Sequence, residues 1–335
     1  MKEQSTPLVE VRDLCMWFPV KRSIVDSLSR KPKRYVKAVN NVSLTVEQGE
    51  SLGLVGESGC GKSTLAKSII RLYEPTHGNI LLKGDDITHL KGKTLREKRS
   101  AMQMIFQDPY SSLNPRMTIY EAVAEVLSVH HVVPKDQIRE EVERLLGLCG
   151  LGMEVADRYP GEFSGGQRQR VGIARALAVS PDIVLADEPV SALDVSIRAQ
   201  IINLLSHLQK ELNLTILFIS HDLHLVHYIT KRVAVMYLGK IVEIGPTSSV
   251  FSNPMHPYTS ILIQAAPVLN PLDRERSSTI KGEPPSPLDL PKGCAFGQRC
   301  PYCTEECTMK EPVLQNAGGG QYVACHHPLH KEEVK

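Results

Sequence analysis

Over the first two thirds of the chain, short apolar runs alternate with stretches of helical spacing. SLGLVG (51–56), DIVLAD (182–187) and LTILFI (214–219) are apolar almost throughout, the pattern of strands buried on both faces of a parallel sheet. VNNVSLTVEQGE (39–50) and KIVEIG (240–245) alternate more and predict antiparallel or edge strands. Helical spacing follows near 62–72, 165–179 and 196–212, which predicts an α/β sheet with crossover helices. From about 108 to 162 the spacing is helical with no convincing strand, so a helical insertion is expected there. Residues 19–34 (PVKRSIVDSLSRKPKR) are basic and contain proline. They predict an exposed hairpin or loop whose charges are solvated, with a lipid-facing patch as the minority reading. Beyond about 246 prolines accumulate, periodicity fades, and the chain ends in a cysteine-rich tail. No internal repeat is visible, so a single such unit is expected.

Composition narrows the class. The chain has 335 residues, more than one compact domain usually needs. Lysine and arginine number 39 against 37 acidic residues, a balance that argues against a dedicated nucleic-acid binder. No run of about 18 apolar residues is present, so no membrane-spanning helix is expected. The opening MKEQSTPLVE lacks the apolar stretch of a signal peptide, which makes the cytosol the expected compartment. Of the eight cysteines, those from Cys294 to Cys325 are clustered. In a reducing compartment such clustering points to a metal site rather than to disulfides.

Residues 56–64 carry the first chemistry. Gly56, Glu57, Ser58, Gly59, Cys60, Gly61, Lys62, Ser63 and Thr64 form a complete GxxxxGK[ST] phosphate loop. It follows an apolar strand and opens a helical pattern. Glycines let backbone N–H groups turn inward around phosphates at a helix N-terminus. Lys62 is expected to face the β and γ phosphates, and the Ser63 hydroxyl to ligand Mg²⁺. Cys60 is read as a tolerated small residue rather than a nucleophile. At the end of DIVLAD, Asp187 is placed to hold Mg²⁺ through water. The next carboxylate, Glu188, is the expected general base for a water attacking the γ-phosphate.

The stretch between these motifs resembles a known family. Phe163, Ser164, Gly165, Gly166 and Gln167 are similar to the LSGGQ signature of ABC ATPases, with Phe for the first Leu. In that family the signature helix caps the ATP of the opposite subunit, so the resemblance implies a dimer. Ser164 and two glycine N–H groups at a helix N-terminus would suit a second anion cradle. Gln107 in IFQDP resembles the Q-loop glutamine, which contacts Mg²⁺ and the attacking water. Ser191, Ala192, Leu193 and Asp194 resemble the D-loop, and His221 after LTILFIS resembles the switch histidine at the γ-phosphate. Phe18 stands where the family stacks an aromatic on adenine, with Trp17 beside it as the alternative register.

FQDPYSSLNPRMTI, ADEPVSALDVS, NPMHPYT (253–259) and GEPPSPLDLPKGC (282–294) together resemble the oligopeptide/dipeptide importer ATPases, over nearly the whole chain. The implied fold is α/β, a P-loop ABC ATPase core with an antiparallel β subdomain, a helical signature subdomain and a Cys-rich C-terminal tail. The implied division is an ATPase domain over 1–245, with the helical subdomain at about 108–180, and an extension over 246–335. Cys294, Cys300, Cys307 and Cys325 match a four-cysteine pattern that holds a [4Fe-4S] cluster in that subfamily, while Cys303 falls outside it. Chemically, four thiolates suit an iron–sulfur cluster or zinc; His326 and His327 are read as surface residues. The tail is read as too poor in apolar residues to fold on a core of its own. The resemblance implies ATP and Mg²⁺ as cofactors and a location at the cytoplasmic face of the membrane. It implies as partners a second ABC ATPase subunit (identical or not), two integral-membrane permease subunits and an extracytoplasmic substrate-binding protein. Nickel, opine and glutathione importers share the subfamily, so cargo other than peptides stays open. An ABC ATPase acting on ribosomes or DNA is the weaker alternative, since neither a second unit nor sustained heptads are present.

Overall fold

The computed structural model describes residues 6–20, 33–108, 112–265 and 285–329. Most of the basic stretch at 19–34, and the first residues of GEPPSPLDLPKGC, therefore lie outside the described residues. Along the chain run strands β1 (Val9–Pro19), β2 (Tyr35–Val46), β3 (Ser51–Val55), β4 (His77–Leu82), β5 (Asp85–Asp86) and β6 (Met102–Ile105). Strands β7 (Ile183–Asp187), β8 (Thr215–Ile219), β9 (Arg232–Tyr237) and β10 (Lys240–Pro246) follow, then β11 (Gln315–Gly318) and β12 (Gln321–Val323). The chain forms two compact units, one of residues 1–8, 46–51 and 89–219, the other of residues 9–45, 52–88 and 220–335.

In the first unit β6, β7 and β8 run parallel, with Met102 opposite Ile183 and Asp187 opposite Ile219. Every residue of β7 and β8 is buried, which explains why both read as unbroken apolar runs. No strand occurs among the described residues between β6 and β7. Three helices, Ile119–Val129, Ile138–Leu148 and Gly165–Leu177, pack against one another there. The first opens on a reciprocal cap. The Thr118 hydroxyl accepts from the Glu121 N–H, and the Glu121 carboxylate accepts from the Thr118 N–H, which satisfies two otherwise orphaned donors. Val123, Leu127, Val142, Leu145, Leu146, Val171 and Ala174 fill the space between the helices. The longer helix Val195–Glu211 buries Ile201, Ile202, Leu205 and Leu208, a single apolar stripe.

The second unit holds a four-stranded sheet in the order β2-β1-β4-β5, with β1–β4 and β4–β5 antiparallel. Its other sheet runs β11-β12-β10-β9-β3. There β3 and β9 are parallel while β10 pairs antiparallel with both β9 and β12. The segment after 246 is not the irregular tail its prolines suggest. It forms helices Thr247–Ser252, Pro257–Gln264 and Glu305–Met309, and returns as β11 and β12 to extend the sheet edge. Its apolar residues are few but deeply placed: Tyr258 is fully buried, and Phe296, Val323 and Leu329 are 1%, 3% and 4% exposed. The rings of Phe296 and Tyr258 lie 5.4 Å apart and both pack on Tyr237. The cysteine-bearing segment is thus anchored by packing Phe296 on the Tyr237 ring of β9 and on Tyr258 rather than on a core of its own. Each anchor is isolated in sequence, so no periodicity announces it. Among the described residues no helix is long and apolar enough to cross a membrane.

Candidate functional site

The phosphate loop leaves β3 and enters the helix Lys62–Ile69 in the second unit. Gly56 and Gly61 hold φ of 153° and 110°. A β-carbon at Gly56 would strike the Met236 carbonyl oxygen, and one at Gly61 the Ala38 carbonyl oxygen. These two positions therefore demand glycine on both torsional and steric grounds. The helix has no side-chain cap at its N-terminus, so its first N–H groups face the loop, as an anion site requires. Lys62 is 5% exposed, and its Nζ donates to the Gly56 and Glu57 carbonyls at 2.8 and 3.0 Å. Burial pushes the Cys60 thiol up from its ordinary value, which favours the uncharged form and agrees with a packing role rather than a nucleophile. Ser63 and Thr64 lie in the first helical turn; Ser58 and Gly59 form the exposed tip. His221, exposed, stands just before the helix Leu223–Ile229, whose first turn is capped by Asp222.

The carboxylate cluster belongs to the first unit. Asp187, 3% exposed, ends β7. Glu188 follows in the left-handed region at φ 46°. A non-glycine residue rarely settles there, and such strain concentrates at functional sites. Two contacts fix the strained turn: the Glu188 N–H donates to the Ile219 carbonyl at 3.0 Å, and the Ser191 hydroxyl donates to the Glu188 carbonyl at 3.1 Å. The Gln107 side-chain amide donates to Glu188 Oε2 at 3.1 Å, so two residues 81 apart in sequence meet in one cluster. Asp194, exposed, caps the helix Val195–Glu211 by backbone conformation alone. Arg198 Nε donates to the Leu193 carbonyl at 2.7 Å and secures the preceding turn.

Ser164 caps the helix Gly165–Leu177 in the first unit. Its hydroxyl accepts from the Gln167 N–H at 3.3 Å while its own N–H donates to Gln167 Oε1 at 3.1 Å. The glycines have a packing reason too. A β-carbon at Gly166 would meet Ile197, and one at Gly165 would lie 3.0 Å from Leu193. Phe163 is buried at 4% exposure under the Arg158 guanidinium. On β1, Phe18 packs edge-on to Tyr73 with centroids 5.3 Å apart. Trp17 packs edge-on to His77 and lies under the Lys37 ammonium.

The metal reading of the tail is corrected by the structure. Among the described residues no group of three or more His, Cys, Asp or Glu side chains could hold a metal ion, and this includes Cys294, Cys300, Cys307 and Cys325. Those four border one small cavity with His256, Phe296 and Tyr302, but as free cysteines. Burial pushes the Cys300 and Cys325 thiols up to about 11. The spacing put the cysteines in one neighbourhood and fixed no ligand geometry. Cys303 is exposed. His326 and His327 bond within the tail, to the Lys310 carbonyl and the Thr304 hydroxyl, each at 2.9 Å.

No local pattern announces the ion pair between the tail and the phosphate loop. Arg299 donates to both oxygens of Glu57 in the phosphate loop, at 3.0 and 3.1 Å. It also donates to the Tyr237 hydroxyl at 3.2 Å.

A glycine cradle of this form, together with a strand-end acid pair, defines a nucleotide-binding class of protein. Residues 39–191 match the model of the ABC transporter family, and residues 242–307 match that of the oligopeptide/dipeptide transporter C-terminal region. An oligopeptide transport ATP-binding protein, AppF of Bacillus subtilis, is 49% identical over 95% of this chain and 97% of its own. A dipeptide transport ATP-binding protein, DppF of Haemophilus influenzae, is 46% identical over 97% of this chain and 98% of its own. A solved ATP-binding cassette, dimeric in a post-hydrolysis state with ADP and phosphate, superposes with a TM-score of 0.61 at 28% identity, over 71% of this chain and 98% of that one. The chain belongs to the ABC transporter family, in its oligopeptide/dipeptide transport branch.

Proposed function

We propose that the chain is the ATP-binding and ATP-hydrolysing subunit of an ABC importer that takes up di- or oligopeptides. The observation that carries this reading is the joint match, in one chain, to the transporter ATPase and to the oligopeptide/dipeptide C-terminal region. The glycine cradle and buried Lys62 fit a triphosphate, because Gly56 and Gly61, pressed against the Met236 and Ala38 carbonyls of β9 and β2, leave a loop free of side chains at both positions. We assign residues 1–245 to the ATPase domain, with a helical subdomain at about 108–180, and residues 246–335 to the extension.

The site residues take the following roles. Backbone N–H groups of Gly56, Ser58, Gly59, Cys60, Gly61, Ser63 and Thr64 and the Lys62 ammonium hold the β and γ phosphates. Phe18 is the proposed platform for adenine. Ser63, Gln107 and Asp187 are the proposed holders of Mg²⁺, and with its amide nitrogen on Glu188, Gln107 has its oxygen left for the metal. Mg²⁺, when bound, neutralises charge on the β and γ oxygens. Glu188 takes a proton from the attacking water as the water oxygen bonds to the γ phosphorus. The bond from that phosphorus to the β–γ bridging oxygen breaks, and ADP and phosphate leave. His221 contacts the γ-phosphate. Ser164, Gly165, Gly166 and Gln167 present a helix N-terminus to the nucleotide of a second ATPase subunit, with Asp194 beside that contact.

The remaining partners are two permease subunits and an extracytoplasmic peptide-binding protein, which place the chain at the cytoplasmic face of the membrane. A groove in the first unit supports a permease contact. It is lined by Gln103, Phe106, Val126, His130, Gln169 and Arg175; Phe106 is 39% exposed, and Val129, on the same helix as Val126, is 53% exposed. The test is reconstitution with the permease and binding protein in liposomes. Peptide-dependent ATP hydrolysis and peptide uptake are expected. ATP hydrolysis that no peptide stimulates, with stimulation by another cargo, would overturn the peptide assignment.

A further inference from the structure

The phosphate loop carries a carboxylate, Glu57, between Gly56 and Ser58. A negative charge there opposes the polyanion the loop is proposed to hold. The C-terminal tail answers that charge. Arg299 Nη1 and Nη2 donate to the two Glu57 oxygens at 3.0 and 3.1 Å, the two-pronged geometry that guanidinium and carboxylate favour. The Arg299 side chain is 6% exposed and that of Glu57 23%, so solvent screens the pair less than a surface bridge. Arg299 ends the single turn Gly297–Arg299 that follows buried Phe296. Its guanidinium carbon lies 5.8 Å from the centre of the Tyr237 ring. The Glu57 backbone is engaged as well. Its N–H donates to the Tyr258 hydroxyl at 2.8 Å, and its carbonyl accepts from Lys62 Nζ at 3.0 Å.

We propose that Arg299 is a positioning residue for nucleotide binding. It neutralises Glu57 and fastens the start of the phosphate loop, so the C-terminal extension sets the loop's affinity for phosphates. The proposal rests on the reading of residues 56–64 as the phosphate site. It gives the extension a role in the ATPase that the established matches do not assign. It also explains a glutamate in a loop built to attract anions: the acid is tolerated because its charge is cancelled from 242 residues away.

The test uses the full-length chain and MgATP binding by calorimetry, with thermal melting to confirm folding. Arg299→Gln is expected to raise the Kd about tenfold or more, because it leaves a carboxylate uncompensated beside the anion site. Arg299→Gln combined with Glu57→Gln is expected to recover affinity to within about threefold, because the offending charge is gone. Added salt should narrow the gap between wild type and Arg299→Gln. A merely structural arginine would give a double variant as weak as the single one, and that result would overturn the proposal. So would wild-type affinity in a folded Arg299→Gln protein. If Arg299→Gln does not fold, Glu57→Gln alone decides: it should bind MgATP at least as tightly as wild type, and weaker binding would sink the idea. Failure of the wild-type chain to bind MgATP would instead refute the proposed function, a separate result from any difference between variants.

Discussion

Replacing Phe296 with alanine tests whether the tail is held by a core. The ring is 1% exposed and touches three others, with centroids 5.3 Å from Tyr237, 5.4 Å from Tyr258 and 5.8 Å from His256. Deleting a buried phenylalanine costs about 3–5 kcal/mol through lost transfer energy and the cavity left behind. At roughly 2–4 °C per kcal/mol, the transition of the unit holding the tail should fall by about 6–20 °C. The loss should also be local. Amides of residues 294–329 should exchange faster while those of β7 and β8, in the other unit, keep their protection. Calorimetry and hydrogen exchange on the full-length protein read both effects. Phe296→Leu fills much of the space and should cost no more than about half as much. A Phe296→Ala protein that melts within about 2 °C of wild type, with tail amides still protected, would refute the aromatic anchoring.

Three further outcomes follow from the same geometry. Glu188→Gln should keep MgATP binding and lose about 10²–10⁴-fold in turnover; phosphate release near the wild-type rate, with contaminating ATPase excluded, would show that another group is the base. His256 is buried, and burial pushes its imidazole down to about 3. The unfolded chain therefore binds the extra proton from about pH 6.5 downward, and stability falls by about 1.4 kcal/mol per pH unit until the folded value is reached. His256→Asn, which keeps a helix-capping side chain, should flatten that limb in urea titrations at pH 7 and pH 5; an unchanged pH dependence would refute it. Single cysteines at Phe106 and Val129 should cross-link to a cytoplasmic helix of the permease, and cross-links confined to residues after 246 would move the docking site to the extension.

The legible parts of the sequence were those with local signals. Unbroken apolar runs marked β3, β7 and β8, and helical spacing marked Lys62–Ile69, Gly165–Leu177 and Val195–Glu211. The phosphate loop was readable because a turn without side chains needs glycines at set positions. What escaped was everything held by distant partners. The short strand β12 has three residues and exists because β10 offers it an edge. Phe296 and Tyr258 sit among prolines with no period around them. Arg299 and Glu57 meet across a separation that no window of sequence spans. The left-handed turn at Glu188 was equally hidden, since glutamate carries no preference for it. The cysteine cluster shows the opposite error: spacing spoke loudly, yet among the described residues no group of three or more donors could hold a metal ion.

The strained backbone at Glu188 sets evolution and engineering against each other at a single position. Glycine there would relieve a torsional cost on the order of 1 kcal/mol or more, and it would delete the proposed base. Any selection for thermal stability alone, whether in a library screen or over generations without need of the cargo, is therefore biased toward an inert but sturdier protein. A glutamate kept at φ 46° is maintained only while hydrolysis itself is under selection. In libraries of this chain, variants recovered by heat challenge should be screened for turnover before their stability is counted as a gain.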